Sequence, residues 1–362
     1  LEENDLARIQ EAAGTGSEVV VSDYKQAQTE VHDANVILGI VPPKLFAPAS
    51  ELRWVQSISS GVDSFMYPEF INSNVVLTSE KGLVGEHLAD HGFGLLLMLT
   101  RQLASARDLG PDAWNHRPEL RAKEIELTGS TMGIIGLGGT GRAMARRALA
   151  FGMKVVAIDR DEVAQMDGVD LSVGSEHLPG VLRNADVVAI CCPLTPETNK
   201  LINATNIALM KEGVFLINVT RGEVLDEQDL IAALKSGQIR GAGLDVAPRE
   251  PLPPDSGLWA LSNVVMSPHT AGASQYRARR NLERFIENLK KFVNNEIIKE
   301  ENILREKLQK TMSENVGIFK FNKGLDQAEK EILNIYKQIT LIYNQNKLTQ
   351  NLSELRNMIS IS

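Results

Sequence analysis

The stretch Met132 to Arg160, MGIIGLGGTGRAMARRALAFGMKVVAIDR, decides the fold. Its apolar start, Met132 to Ile135, reads as a buried strand that breaks at Gly136, Gly138 and Gly141, the spacing G-x-G-x-x-G. The first glycine permits a tight turn, the second lets backbone approach a pyrophosphate, and the third lets helix pack on strand. Arg142 to Phe151 has a helical pattern, Lys154 to Ile158 is a second apolar strand, and Asp159 ends it. An anion would sit on the unpaired N–H groups at the helix N-terminus, and Asp159 lies where an acidic side chain accepts hydrogen bonds from a ribose. The expectation is a dinucleotide site.

Outward from this unit, repeated strand and helix signals predict a doubly wound parallel sheet. Val187 to Cys192, Val214 to Val219, Ala242 to Val246 and Val264 to Ser267 read as strands, and Asp226 to Ser236 as an intervening helix. Residues before about 83 alternate in smaller units. Helices are expected at Asp5 to Ala13 and Tyr24 to His32, and strands at Glu18 to Ser22, Asn35 to Ile40 and Arg53 to Ser57. The last strand runs into Ser59, Ser60, Gly61 and Val62, a turn whose N–H groups could hold an anion or simply reverse the chain. Glu86 to Leu109 is expected as one long apolar helix packing between domains. His87 and His91 stand four apart on it, but the glutamate of the zinc-protease helix is missing after His87 and no third ligand is evident. A packing role and no metal are expected.

Length and charge restrict the function. The 362 residues suffice for two domains and an appendage, and the net charge of −8 argues against a nucleic-acid surface. Cys191 and Cys192, adjacent in an apolar run, are the only cysteines, so no disulfide framework exists. No apolar run has the length of a membrane span and no signal-peptide pattern opens the chain. A cytoplasmic protein with neither membrane nor nucleic-acid partner is expected.

Ligands of doubly wound sheets bind beyond the carboxyl ends of the strands. Three polar residues fall there: Arg221 after VFLINV, Glu250 in the loop after GLDV, and His269 after NVVMSP. A guanidinium can grip a carboxylate and stabilise charge growing on a carbonyl oxygen, and an imidazolium can protonate it. A carboxylate beside the imidazole favours its charged form.

With these residues identified, residues 1–295 resemble the D-isomer-specific 2-hydroxyacid dehydrogenase family, nearest its glyoxylate and hydroxypyruvate reductase-like members. The matching motifs are SSGVD, VGEHLADHGFGLLLMLTR, GIIGLGGTG, CPLTPET, INVTRGEVLDEQDLIAALKSGQIRGAGLDV, EPLP and SPHTAG, in order. The resemblance implies that Arg221 holds the substrate carboxylate, His269 is the acid/base and Glu250 orients and charges it. It implies substrate contacts from Ser60 and Gly61, and cofactor contacts from Gly136, Gly138, Gly139, Thr140, Gly141, Asp159, Pro193, Asp245 and Gly272. The implied cofactor is NAD, with NADP open because Arg160 follows Asp159. The implied substrate is a small 2-keto acid, and the implied assembly a homodimer. The alternative from another class is a corepressor-like interaction protein that senses NAD without turnover.

The resemblance implies a Rossmann-type sheet, residues 84–273, inserted in a smaller flavodoxin-like α/β substrate domain formed by residues 1–83 and 274–295. The first strand of that smaller domain is absent from the sequence, which begins within the helix expected to follow it. Residues 296–362 change composition, rich in Lys, Asn and Ile, with apolar positions stepping by three and four from Leu325 to Ile342. They are expected as a helical appendage. From about Glu300 they resemble the C-terminal helical domain of succinate dehydrogenase and fumarate reductase flavoproteins, as a gene fusion, an engineered chimera or an assembly artefact would each produce.

Overall fold

Trp54 lies fully buried in the smaller of two parallel sheets, stacked by Phe285 at 5.5 Å and met by Phe292 at 5.4 Å. These coordinates are a computed structural model that describes residues 3–294. The helical appendage expected at 296–362 lies outside the described residues. The described residues divide into two units: those up to Lys81 together with Tyr276 to Asn294, and Gly82–Gln275.

The smaller unit's sheet has three parallel strands in the order β1 (Val36–Leu38), β2 (Trp54–Gln56), β3 (Val76–Thr78). The helices Glu3–Ala13 and Arg277–Val293 bury Ile9, Leu282, Phe285, Ile286 and Leu289 with Trp54 and Val76. Val55, Phe65, Phe70 and Leu77 belong to a second cluster. Most of the polar side-chain atoms enclosed here are paired, an unpaired one costing about 1–3 kcal/mol; Asn281 Oδ1 is buried without a partner among the described residues. Trp54 Nε1 donates to Thr78 Oγ1 at 2.8 Å, and Asn288 Nδ2 donates to Gln56 Oε1 at 3.0 Å. The Glu80 carboxylate, 1% exposed, accepts from Arg277 and Asn281, and Arg277 also donates to the Ile58 carbonyl at 2.9 Å. Residues 18–22, expected as a strand, form no ladder among the described residues. Val20 and Val21 are 60% and 64% exposed there. β-Propensity without a neighbouring edge is not sufficient for a strand.

The larger unit carries seven parallel strands: β4 (Thr131–Ile135), β5 (Lys154–Asp159), β6 (Val169–Val173), β7 (Val187–Ile190), β8 (Val214–Asn218), β9 (Ile239–Leu244) and β10 (Val264–Met266). Their order is β10-β9-β8-β7-β4-β5-β6, a doubly wound sheet whose order reverses between β4 and β7. Alternation along β4 supplies both faces. Met132 and Ile134 join the core under the helices Gly85–Thr100 and Gly139–Ala150, while Ile135 joins the core under Leu178–Asn184 and Glu227–Ser236. The helix expected over Glu86 to Leu109 is two helices, Gly85–Thr100 and Leu103–Leu109. Between them Gln102 adopts a left-handed φ of 52°, its side chain donates to the Leu99 carbonyl at 2.8 Å, and Ile125 N–H donates to that of Thr100. Those bonds satisfy carbonyls that a continuing helix would have used.

Candidate active site

Backbone proximity explains two of the three glycines. A Cβ on Gly136, whose φ is +93°, would lie 2.8 Å from the Cys192 backbone, and one on Gly141 would lie 2.0 Å from the Gly136 carbonyl oxygen. Gly138 differs. A Cβ there would meet no protein atom within 4 Å, so the fold itself does not require a glycine. Gly138 caps the helix Gly139–Ala150 without a side chain, leaving the first-turn N–H groups, including that of Thr140, for an anion. The residues present therefore fit a bound pyrophosphate. Asp159 completes this edge, accepting Leu137 N–H at 2.7 Å on one oxygen and Asp161 N–H at 3.2 Å on the other, with lone pairs remaining for hydroxyl donors. Arg160 beside it pairs with Asp161 at 3.1 Å, and that contact raises its affinity for a proton.

The β7 end is shaped by Thr198, whose hydroxyl donates to the Pro193 carbonyl at 2.7 Å and accepts Thr195 N–H at 2.7 Å. Burial pushes the Cys192 thiol up to about 12 and the Cys191 thiol higher still, so both stay protonated and unreactive.

Arg221 follows β8. Buried Asn218 donates to the Arg221 carbonyl at 2.9 Å, and the guanidinium donates to the Thr220 carbonyl at 2.8 Å. A Cβ on Gly222 would lie 1.9 Å from the Ala247 carbonyl carbon, so the backbone after Arg221 is seated directly on the loop that carries Glu250.

Glu250 and His269 are in contact, Oε2 to Nδ1 at 2.6 Å, while Oε1 accepts Ala247 N–H at 3.0 Å. With Nδ1 held, Nε2 of this 45% exposed imidazole remains to exchange a proton with a ligand. His269 has a φ of +54°, which costs a non-glycine residue about 1–3 kcal/mol. Asp245 holds this conformation. Its carbonyl accepts His269 N–H at 2.8 Å, and its carboxylate, 1% exposed, accepts Thr270 N–H and Ala271 N–H at 2.9 Å each, immediately before Gly272.

Two participants were not identified from the sequence. Ser267 Oγ donates to Asp245 Oδ1 at 2.7 Å, and His91 Nε2 lies 2.6 Å from the same Oγ. His91 thus has a polar partner, which the sequence did not indicate. Among the described residues no group of three His, Cys, Asp or Glu side chains is placed to hold a metal, and no helix is long and apolar enough to cross a membrane. Ser60 and Gly61 belong to the other unit, in the turn after β2, where Ser59 Oγ donates to the Gly61 carbonyl at 2.9 Å.

Comparison with known proteins gives a consistent family. Residues 93–271 match the D-isomer specific 2-hydroxyacid dehydrogenase NAD-binding domain. A glyoxylate reductase of Korarchaeum cryptofilum is 35% identical over 261 residues, 71% of this chain and 78% of that protein. A hydroxypyruvate reductase of Blautia hydrogenotrophica is 30% identical, over 75% of this chain and 86% of that one. The crystal structure of D-lactate dehydrogenase from Aquifex aeolicus, complexed with NAD and lactic acid, superposes with a TM-score of 0.65 at 27% identity, covering 82% of this chain and 94% of that chain.

Proposed function

This chain belongs to the D-isomer-specific 2-hydroxyacid dehydrogenase family, and from that membership we propose that it reduces a small 2-keto acid of the glyoxylate or hydroxypyruvate kind. A nicotinamide dinucleotide, when bound, supplies the hydride. Arg221 binds the substrate carboxylate and stabilises the negative charge that grows on the carbonyl oxygen. His269 gives its Nε2 proton to that oxygen in reduction and takes it back in oxidation. Glu250, on Nδ1, fixes the ring orientation. The contact between Glu250 and His269 at 2.6 Å carries this reading, because it leaves a single ring nitrogen to do acid/base work.

Gly136, Gly138, Gly139, Thr140, Gly141, Asp159, Pro193, Asp245 and Gly272 form the proposed cofactor contacts. Ser60 and Gly61 are proposed as substrate contacts on the motif resemblance. A cytoplasmic homodimer belongs to the same reading, and exposed Leu103 and Trp114, 53% and 79% accessible, support an interface. The sensing alternative finds no support among the relatives, which are enzymes by name. The test is NADH and NADPH oxidation with glyoxylate, hydroxypyruvate, pyruvate and branched 2-keto acids. Turnover of none of them, by protein that binds NADH, overturns the assignment.

A further inference from the structure

His91 is the one residue in the polar chain behind His269 that comes from outside the strand-end loops. It projects from the helix Gly85–Thr100, 176 residues away in sequence from Ser267. The hydrogen-bond order follows from the acceptor at its far end. Asp245 is a buried carboxylate that already accepts Thr270 N–H and Ala271 N–H, and it takes the Ser267 hydroxyl proton at 2.7 Å. With that proton committed, the serine oxygen can only accept from His91, so Nε2 of His91 carries hydrogen and donates across 2.6 Å. The same nitrogen lies 3.5 Å from Asp245 Oδ1. Asp245 in turn holds the backbone of residues 269–271, where His269 is kept in a left-handed conformation it would not adopt unaided.

We propose that His91 is a positioning residue for the acid/base step. Through the Ser267 hydroxyl it fixes the Asp245 carboxylate, and through Asp245 it fixes the strained turn that aims the His269 imidazole. His91 touches neither Glu250 nor the glycine turn in this chain of bonds, so its effect falls on kcat more than on cofactor affinity, which it reaches only through Asp245. This role rests on the proposed reductase function, and its test includes a readout that does not need turnover.

The experiment compares His91→Leu, His91→Gln, Ser267→Ala and the double variant His91→Leu/Ser267→Ala. Leucine fills the space but donates nothing. Glutamine places an amide N–H where Nε2 stood and should restore most of the rate. A displacement of the acid by about 1 Å can cost about 100-fold, so His91→Leu is expected to lose between about tenfold and 100-fold in kcat, with a smaller fold-change in the NADH dissociation constant because Asp245 is also a proposed cofactor contact. Since both residues act through one bond, the double variant should be no slower than Ser267→Ala alone. The ring signals of His269 in a ¹H–¹⁵N spectrum should move in His91→Leu and return in His91→Gln. Wild-type kcat and an unmoved His269 signal in His91→Leu overturn the proposal. So do multiplicative losses in the double variant, or a glutamine variant as slow as leucine while melting like wild type. If the wild-type protein turns over no keto acid, the functional reading fails, and the ring signals still decide whether the relay exists.

Discussion

His269 Nδ1 stands 2.6 Å from Glu250 Oε2, and His269 N–H donates to the Asp245 carbonyl at 2.8 Å, so ring and backbone are both fixed by the one segment that follows β9. Reduction requires the imidazolium as donor and oxidation the neutral ring as acceptor. Without His269 neither direction has its proton donor or acceptor. His269→Gln should lower kcat by about 10²–10⁴ in both directions, while NADH binding, followed by fluorescence, persists. Near-normal rates in a folded variant would remove His269 from the mechanism.

The glycines should separate fold from ligand. A methyl group on Gly141 would meet the Gly136 carbonyl oxygen at 2.0 Å, whereas one on Gly138 would meet nothing within 4 Å. Gly141→Ala should lower the melting temperature and NADH affinity together. Gly138→Ala should melt as wild type and still lose NADH affinity, because the methyl group occupies ligand space. Calorimetry and a fluorescence titration check both, and full NADH affinity in Gly138→Ala would count against the pyrophosphate position.

Strands that are buried on both faces were legible as apolar runs, as in VVAI of β7 and VFLIN of β8, where every residue is buried. Edge strand β6, VDLSV, has a single buried residue, and β3 is three residues long, so neither carries a readable period. EVVVS at 18–22 has the composition of a strand without a partner, and pairing is a tertiary property. Arg221, Glu250 and His269 could be placed at strand ends because a parallel sheet orders its loops by topology. The link from His91 to Ser267 and Asp245 could not, because it depends on which helical turn meets which loop across the sheet edge.

Gly222 joins Arg221 to the Glu250 loop by close packing, with the Ala247 carbonyl carbon 1.9 Å from where a Cβ would stand. Backbone cannot yield there as a flexible side chain would. Gly222→Ala should destabilise by about 1–3 kcal/mol in urea melts and reduce kcat, although residue 222 offers no chemistry of its own. Arg221→Ala should keep the melt and raise the keto-acid KM while lowering kcat. Loss of stability in the arginine variant, with an unaffected KM, would contradict this division.

Asp226 caps the helix Glu227–Ser236, accepting N–H groups of Gln228 and Asp229, and pairs with Lys200 at 3.0 Å. The Lys200 contact, followed by the Asp229 N–H, holds its carboxyl below the usual carboxylate range. A group depressed in the folded state stabilises above its unfolded pKa and loses that contribution as pH falls through the folded value. Asp226→Ala should therefore cost about 1 kcal/mol at neutral pH, with the difference from wild type shrinking below about pH 4. Asp226→Asn should cost less, since the cap survives. A pH-independent difference in urea unfolding would refute the carboxylate's part.

Cofactor choice follows from the same turn. The Asp159 carboxylate is tied to Leu137 N–H at 2.7 Å and Asp161 N–H at 3.2 Å, so it cannot swing away from a 2′-phosphate placed at the end of β5. Arg160, the cation that could compensate, is held by Asp161 through two hydrogen bonds, at 3.2 and 3.1 Å. NADH should therefore be preferred to NADPH by about tenfold or more in kcat/KM, equivalent to about 1.4 kcal/mol. Asp161→Ala should release Arg160 and raise kcat/KM for NADPH while leaving that for NADH nearly unchanged. Asp159→Ser should reduce the preference further by removing the repelling charge, with the serine hydroxyl still able to meet the ribose. Higher wild-type kcat/KM with NADPH would show that Arg160 outweighs Asp159, and an Asp161→Ala variant with unchanged NADPH kinetics would show that the ion pair does not hold Arg160 back.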